Sequence, residues 1–267
     1  MTLKNTNKFK RPKEMDKMRK IVKCVNYIEK LEMEDFKTLG IGIEIQDFTE
    51  PNLNEREIRS ILKKYKAAFQ DFEGIRSLHG PFLDLKPSSP DLKIREVSYE
   101  RYLNAIKYAD ELDMDFVVFH SQINPYLNEP SLKKLNNVQN KEFWDRILDE
   151  INFKGTILIE NIFEESPEML KEYIDEINRP NIKINLDIGH AKLGKVSLEE
   201  WIAVLKDDVA YMHIHTNDGI IDQHQTPSKE EIRKLYKLLE KYNLNPVLSL
   251  EYDTENLTDE ISKYLGE

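Results

Sequence analysis

The six histidines of the chain sit at or just after short runs that read as β-strands: SLH (77–79), FVVFH (116–120), LDIGH (186–190), YMHIHTND (211–218) and DQH (222–224). Most of these segments also carry an aspartate. Two further runs, ILIEN ending at Asn161 and LSLEY ending at Tyr252, deliver Glu160 and Glu251 instead. Imidazole and carboxylate groups that converge from several strand ends are what a divalent metal site needs, because a hard or borderline cation takes N and O donors together. The pattern predicts a metal-dependent enzyme.

The elements that must position these groups follow from periodicity. Short β-branched runs alternate with longer amphipathic stretches, and eight such pairs can be counted. The strand runs are RKIVKCVNY (19–27), IGIEIQD (41–47), GIRSLH (74–79), FVVFH (116–120), TILIE (156–160), IKINLD (182–187), VAYMHIH (209–215) and PVLSLE (246–251). Between them, EIRSILKKYKAAF (57–69), SYERYLNAIKYADEL (98–112) and EEIRKLYKLLEKY (230–242) show apolar residues three and four apart, the helical period. Ser166-Pro167, Ser197 with Glu200, and Pro227-Ser228 are helix starters. Eight βα units in 267 residues predict a single-domain (β/α)8 TIM barrel over residues 19–267, whose strands deliver chemistry to one C-terminal rim. A doubly wound open sheet would gather its ligands at one crevice, whereas here the chemistry recurs on strands three to eight.

Side chains two apart on a strand share a face. Glu160 therefore goes with Leu158, Glu251 with Ser249, Asp187 with Asn185 and His215 with His213, leaving Ile157, Ile159, Leu186, Leu248 and Leu250 to pack on helices. Polar groups on the inward face are costly unless they bind something.

Composition excludes several classes. There is no apolar run near 18 residues and no signal-peptide pattern, so neither membrane insertion nor export is expected. Residues 1–18 read as a basic tail. Residues 1–20 hold eight Lys or Arg against two Asp or Glu, a balance of +6, which leaves −16 of the formal −10 for residues 21–267. A body this acidic disfavours a nucleic-acid backbone and suits small neutral or phosphorylated ligands. Cys24 is the only cysteine, which excludes an internal disulfide, fits a reducing cytoplasm, and reads as a small buried strand residue.

In this order the motifs SLHGPF, VFHS, IEN, LDIGHAKLG, HIHTNDG, DQH and LEY, over about residues 40–252, resemble the xylose isomerase-like TIM barrel superfamily. That superfamily includes metal-dependent sugar isomerases and epimerases and the endonuclease IV type of abasic-site nuclease. Resemblance to the sugar branch implies one divalent ion (Mn2+, Mg2+, Co2+ or Zn2+) on Glu160, Asp187, His215 and Glu251, with Glu160 and Glu251 moving a proton through an enediolate and His190 orienting a substrate hydroxyl. Resemblance to the nuclease branch implies up to three zinc ions: one on His79, His120 and Glu160, a second on Glu160, Asp187, His215 and Glu251, and a third on His190, Asp222 and His224. All nine positions carry suitable residues.

The chain departs from the nuclease pattern at Phe82, where a tyrosine is usual, and in the loop DFTEPNLNERE (47–57), which is mostly acidic where a DNA-entering loop would be expected to carry arginine and insertion side chains. It departs from the epimerase pattern in DGIIDQH (218–224), which lacks the arginine usual after the seventh-strand histidine. The expectation is a cytoplasmic sugar or sugar-phosphate isomerase or epimerase, compatible with a homo-oligomer, with a zinc-dependent phosphodiesterase as the alternative.

Simpler roles stand beside these. His79 and His120 either bind metal or line the pocket, and His213 is expected in a deeper layer, supporting the ligands. Asp187 could cap the following helix, and Asp218 should work in the turn near Gly219. Asn161 either contacts substrate or braces Glu160. Glu44 and Gln46 point inward as pocket lining or as a buried structural pair. Lys192 reads as a surface lysine or an anion contact, and Trp144 and Trp201 as core or interface residues.

Overall fold

The strand runs pair in sequence order. A computed structural model describes residues 20–265, so the basic tail expected over residues 1–18 lies outside the described residues. The strands are β1 (Lys20–Val25), β2 (Gly42–Ile45), β3 (Arg76–His79), β4 (Phe116–His120), β5 (Thr156–Glu160), β6 (Ile182–Asn185), β7 (Val209–Ile214) and β8 (Val247–Leu250). Each pairs in parallel with the next. β1 also pairs with β8, setting Ile21 opposite Leu248 and Val22 opposite Ser249. That pairing closes the sheet into a barrel and removes the open doubly wound alternative.

The helices are α1 (Met33–Leu39), α2 (Glu55–Ala68), α3 (Leu92–Glu111), α4 (Pro130–Glu150), α5 (Pro167–Ile177), α6 (Ile188–Leu193), α7 (Leu198–Leu205), α8 (Lys229–Lys241) and α9 (Leu257–Leu265). Their starts follow local chemistry. Asn54 with Glu57 and Ser228 with Glu231 form complete capping boxes at α2 and α8, and Ser197 accepts from the Glu200 amide at α7. Ser166 makes no side-chain cap bond, so Pro167 at the first helical position marks the start of α5. α3 begins six residues before the periodicity predicts, at the Asp91 cap, because Leu92, Ile94 and Val97 are exposed and bury no stripe that would register as a period.

Outward-facing Ile157, Ile159, Leu186, Leu248 and Leu250 join the main core between barrel and helices. Trp144 and Trp201 are fully buried there. The bore of the barrel is separate. Val22, Val118, Leu158, Tyr211 and Val247 form a second apolar cluster, and each lies two residues before an inward polar group: Cys24, His120, Glu160, His213 and Ser249. Strand parity thus places an apolar plug toward the N-terminal end of the bore and polar groups toward the mouth. β6, β7 and β8 stop at Asn185, Ile214 and Leu250, so Asp187, His215 and Glu251 stand one or two residues past the ladder, on the rim.

Candidate metal centre

Three imidazoles at this rim, two buried and one half-exposed, are oriented by backbone carbonyls. His79, His190 and His224 each donate Nδ1–H to a main-chain oxygen, of Gly80 (2.9 Å), Asn161 (3.0 Å) and Glu251 (2.9 Å) respectively. A carbonyl only accepts, so Nε2 is the nitrogen each ring leaves for the centre. His79 turns it to Glu160 (3.6 Å), while His190 and His224 both donate Nε2–H to Asp222 Oδ2 (3.0 and 2.9 Å), protons whose place a cation would take. Fixing the tautomer from outside is how proteins prepare imidazole for a cation.

Asp187 does two jobs with two oxygens. Oδ1 caps α6 by accepting from the His190 amide (2.8 Å), and Oδ2 faces His215 Nε2 at 3.0 Å. Asn161 braces this residue, accepting from the Asp187 amide and donating to the Asp187 carbonyl, both at 2.9 Å. Gly189 sits against the His215 ring, where an added Cβ would lie 2.0 Å from Cε1. Only glycine lets α6 pack this closely.

The nine sequence-predicted positions line one rim, eight of them in overlapping groups, and Glu160 groups with Asp187 but not directly with His215 or Glu251. Donor atoms of His190, His215, Asp222 and His224 lie within 4.8 Å of one another, as do those of Glu160, Asp187 and His190, and those of Asp187, His215 and Glu251. His120 is looser, 3.8 Å from Glu160, with its ring stacked on Phe82 at 4.3 Å. The sequence points to His213 only as support, yet it joins a group with His79 and Glu160. Gln46, one of the inward-pointing lining candidates, donates to Glu251 Oε1 at 2.8 Å. Lys192 faces away from the centre, bonding Thr216 Oγ1, the Asn217 carbonyl and Glu231, and so ties α6 to α8.

The carboxylates of the centre are held ionised. Burial pushes the Glu160 carboxyl up, but the imidazoles of His213 and His190 outweigh it and hold it well below the usual carboxylate range. Asp187 is held low against the same burial by His190 and His215. Burial pushes the His120 imidazole down to about 3, leaving it neutral at pH 7, the form that ligates. Glu160, Asp187, His213 and His215 are at most 1% exposed. Buried His213 Nδ1, His215 Nδ1 and Glu251 Oε2 have no hydrogen-bond partner among the described residues. Unpaired buried polar atoms are costly, and a cation among these carboxylates would satisfy them. The donors thus fit a divalent ion. Above them opens a cavity of about 1130 Å³ reaching Phe82, Leu83, Lys86 and Phe163, ample for a small ligand.

Among the described residues no helix is long and apolar enough to cross a membrane. An uncharacterized protein of Methanocaldococcus jannaschii, MJ1311, is 28% identical over 200 residues, covering 69% of this chain and 66% of that protein. The solved structure of the TTHB071 protein from Thermus thermophilus, soaked with ZnCl2, matches with TM-score 0.72 and 21% identity over 92% of this chain and 98% of that one. A D-tagatose 3-epimerase-like protein matches with TM-score 0.70 and 24% identity over 92% and 94%. Other structural neighbours are described as a D-psicose 3-epimerase and an AP endonuclease, family 2. The family model described as xylose isomerase-like TIM barrel matches residues 32–266. With a closed eight-stranded barrel and a match over most of its length, the chain belongs to the xylose isomerase-like TIM barrel family.

Proposed function

We propose that the chain is a cytoplasmic, divalent-metal-dependent isomerase or epimerase of a sugar or sugar phosphate. The observation that carries this reading is the pair Glu160 and Glu251. They reach one centre from β5 and the end of β8, and their Oε2 atoms lie 3.3 and 2.8 Å from a common atom, His213 Nδ1. Glu160, Asp187, His215 and Glu251 would hold a Mn2+, Mg2+, Co2+ or Zn2+ ion, which when bound polarises a substrate carbonyl and its neighbouring hydroxyl.

Glu160 is ionised at neutral pH and can accept the proton on the carbon next to the carbonyl. Glu160 keeps that proton while Glu251, entering the step protonated by solvent, would return one to the opposite face of the enediolate, giving the epimer; delivery of the Glu160 proton to the neighbouring carbon would give the isomer, and exchange with solvent resets both carboxyls. His190, which lines the cavity with Nε2 against Asp222, would orient a substrate hydroxyl. The family's epimerases and the D-tagatose 3-epimerase-like neighbour support this chemistry. The test is incorporation of solvent deuterium beside the carbonyl across a ketose and aldose panel with each ion. Glu160→Gln and Glu251→Gln should abolish it, and absence of exchange with every ion would remove the reading.

Zinc-dependent phosphodiester cleavage is the second reading. It is favoured by one observation, the complete His190, Asp222 and His224 group beside the Glu160 centre. Three zinc ions per chain and incision of abasic-site DNA, lost in Glu160→Gln, would select it.

A further inference from the structure

His213 is held the opposite way round from the rings above it. His79, His190 and His224 are gripped through Nδ1 by carbonyls and offer Nε2. His213 is gripped through Nε2, 3.0 and 3.2 Å from the two oxygens of Glu44, and offers Nδ1. Around that Nδ1 stand Glu251 Oε2 at 2.8 Å, Glu160 Oε2 at 3.3 Å and Asp187 Oδ2 at 3.7 Å.

Glu44 cannot release the ring. Its carboxylate is fully buried and accepts from Tyr211 Oη (2.7 Å), Ser249 Oγ (3.1 Å) and Cys24 Sγ (3.5 Å) as well as from His213. An ionised carboxylate only accepts, so Nε2 of His213 must carry hydrogen. In its neutral, ligating form the ring turns a lone pair from Nδ1 toward three carboxylate oxygens, where a cation takes the place of a second ring proton. That nitrogen and Glu251 Oε2 are both buried without a hydrogen-bond partner among the described residues.

Spacing separates a ligand set from a crowded core. Donors sharing one ion at about 2.1 Å, at tetrahedral to octahedral angles, lie about 3.0–3.4 Å from each other. The three oxygens around His213 Nδ1 bracket that range, and His215 Nε2 stands 3.0 Å from Asp187 Oδ2. We infer that His213 Nδ1 is a further ligand of the ion on Glu160, Asp187, His215 and Glu251, with Glu44 the positioning residue that fixes its ring. This rests on the metal dependence proposed above and adds a tenth residue, from the floor of the site, to the nine at the rim.

The wild-type chain, labelled with 15N-histidine, stripped with chelator and reloaded with 113Cd2+, provides the decisive measurement. A one-bond 15N–113Cd splitting on an Nδ1 resonance, absent from His213→Gln, is expected. His79, His190 and His224 spend Nδ1 on carbonyls, so their couplings would appear on Nε2. Co2+ titration adds a readout that needs no turnover: His213→Gln should change the visible spectrum of the first equivalent, and Glu44→Gln should weaken Co2+ binding about 10- to 100-fold. Circular dichroism separates these effects from unfolding, and because His215 and His120 face Asp187 and Glu160 through Nε2, a coupled Nδ1 in wild type alone points to His213 even if both variants fail to fold. A loaded wild type with no coupled Nδ1 overturns this inference alone. A wild type that takes up no ion overturns it together with the functional reading beneath it.

Discussion

Replacing Gly189 by alanine tests the packing that holds His215 in place, because two effects of the substitution have opposite sign. On α6, alanine in place of glycine should stabilise the helix by about 1 kcal/mol through backbone entropy. The added Cβ, however, would lie 2.0, 2.3 and 2.6 Å from three atoms of the His215 ring, and 2.0 Å falls about 1.4 Å short of the 3.4 Å at which ordinary contact begins. His215 has little room to withdraw, since its other face stacks on His224 with ring centroids 3.9 Å apart and planes 5° from parallel. Overpacking of this kind costs about 1–3 kcal/mol, so the apo variant should be less stable than wild type despite the helix gain.

Metal linkage gives the second half of the prediction. At free ion 1,000-fold above Kd, binding stabilises a fold by about 4 kcal/mol, and a 100-fold weaker site leaves about 1.4 kcal/mol at the same concentration. Urea unfolding of stripped and Zn2+-loaded protein should therefore show the metal-induced increment falling by more than half in Gly189→Ala. An increment equal to that of wild type, or an apo variant more stable than wild type, would refute the claim that α6 and the His215 ring are packed to a ligand geometry.

Stripping the wild type with chelator should lower its melting temperature and restore it on adding Mn2+ or Zn2+, because buried carboxylates lose their counter-charge without the ion. Glu251→Gln should leave circular dichroism near that of wild type while shrinking the metal-induced rise in melting temperature and lowering proton-exchange turnover by about 100-fold or more, read by deuterium incorporation. Trp144→Ala should cost about 3–5 kcal/mol by urea denaturation, since the ring is fully buried, donates Nε1–H to Tyr173 Oη at 2.8 Å and stacks on Tyr102. Burial pushes the Glu231 carboxyl up, but bonds from Ser228, Thr216 and Lys192 outweigh it and hold it at about 2. A depressed folded pKa means stability present above the unfolded value near 4.5 and lost as pH falls toward 2, so the stability gap between wild type and Glu231→Gln should narrow between pH 6 and pH 3.

How far the site was legible depends on which physical quantity each feature encodes. Strand parity fixes which face a residue takes, so Glu160, Asp187, His215 and Glu251 could be assigned to one rim from sequence alone, and the eight runs could be counted as eight strands. The early start of α3 left no trace because Leu92, Ile94 and Val97 bury no stripe. Closure was an inference from the spread of chemistry, and the β1–β8 pairing is what establishes it. The orientation of an imidazole is a different kind of quantity. It is set by what grips the ring from behind, and for His213 that is Glu44, 169 residues away. HIH at 213–215 looks like one motif, yet the two rings are held by unrelated partners: His215 faces Asp187 just past β6, while His213 leans on a carboxylate locked by Tyr211 and Ser249 inside the barrel. Periodicity gives the depth of His213 correctly and says nothing of its facing. The layer beneath the rim therefore carries information that no local pattern holds: the apolar plug of Val22, Val118, Leu158, Tyr211 and Val247 keeps water from Glu44, and a dry Glu44 makes a rigid grip on the one histidine that looks up from the floor.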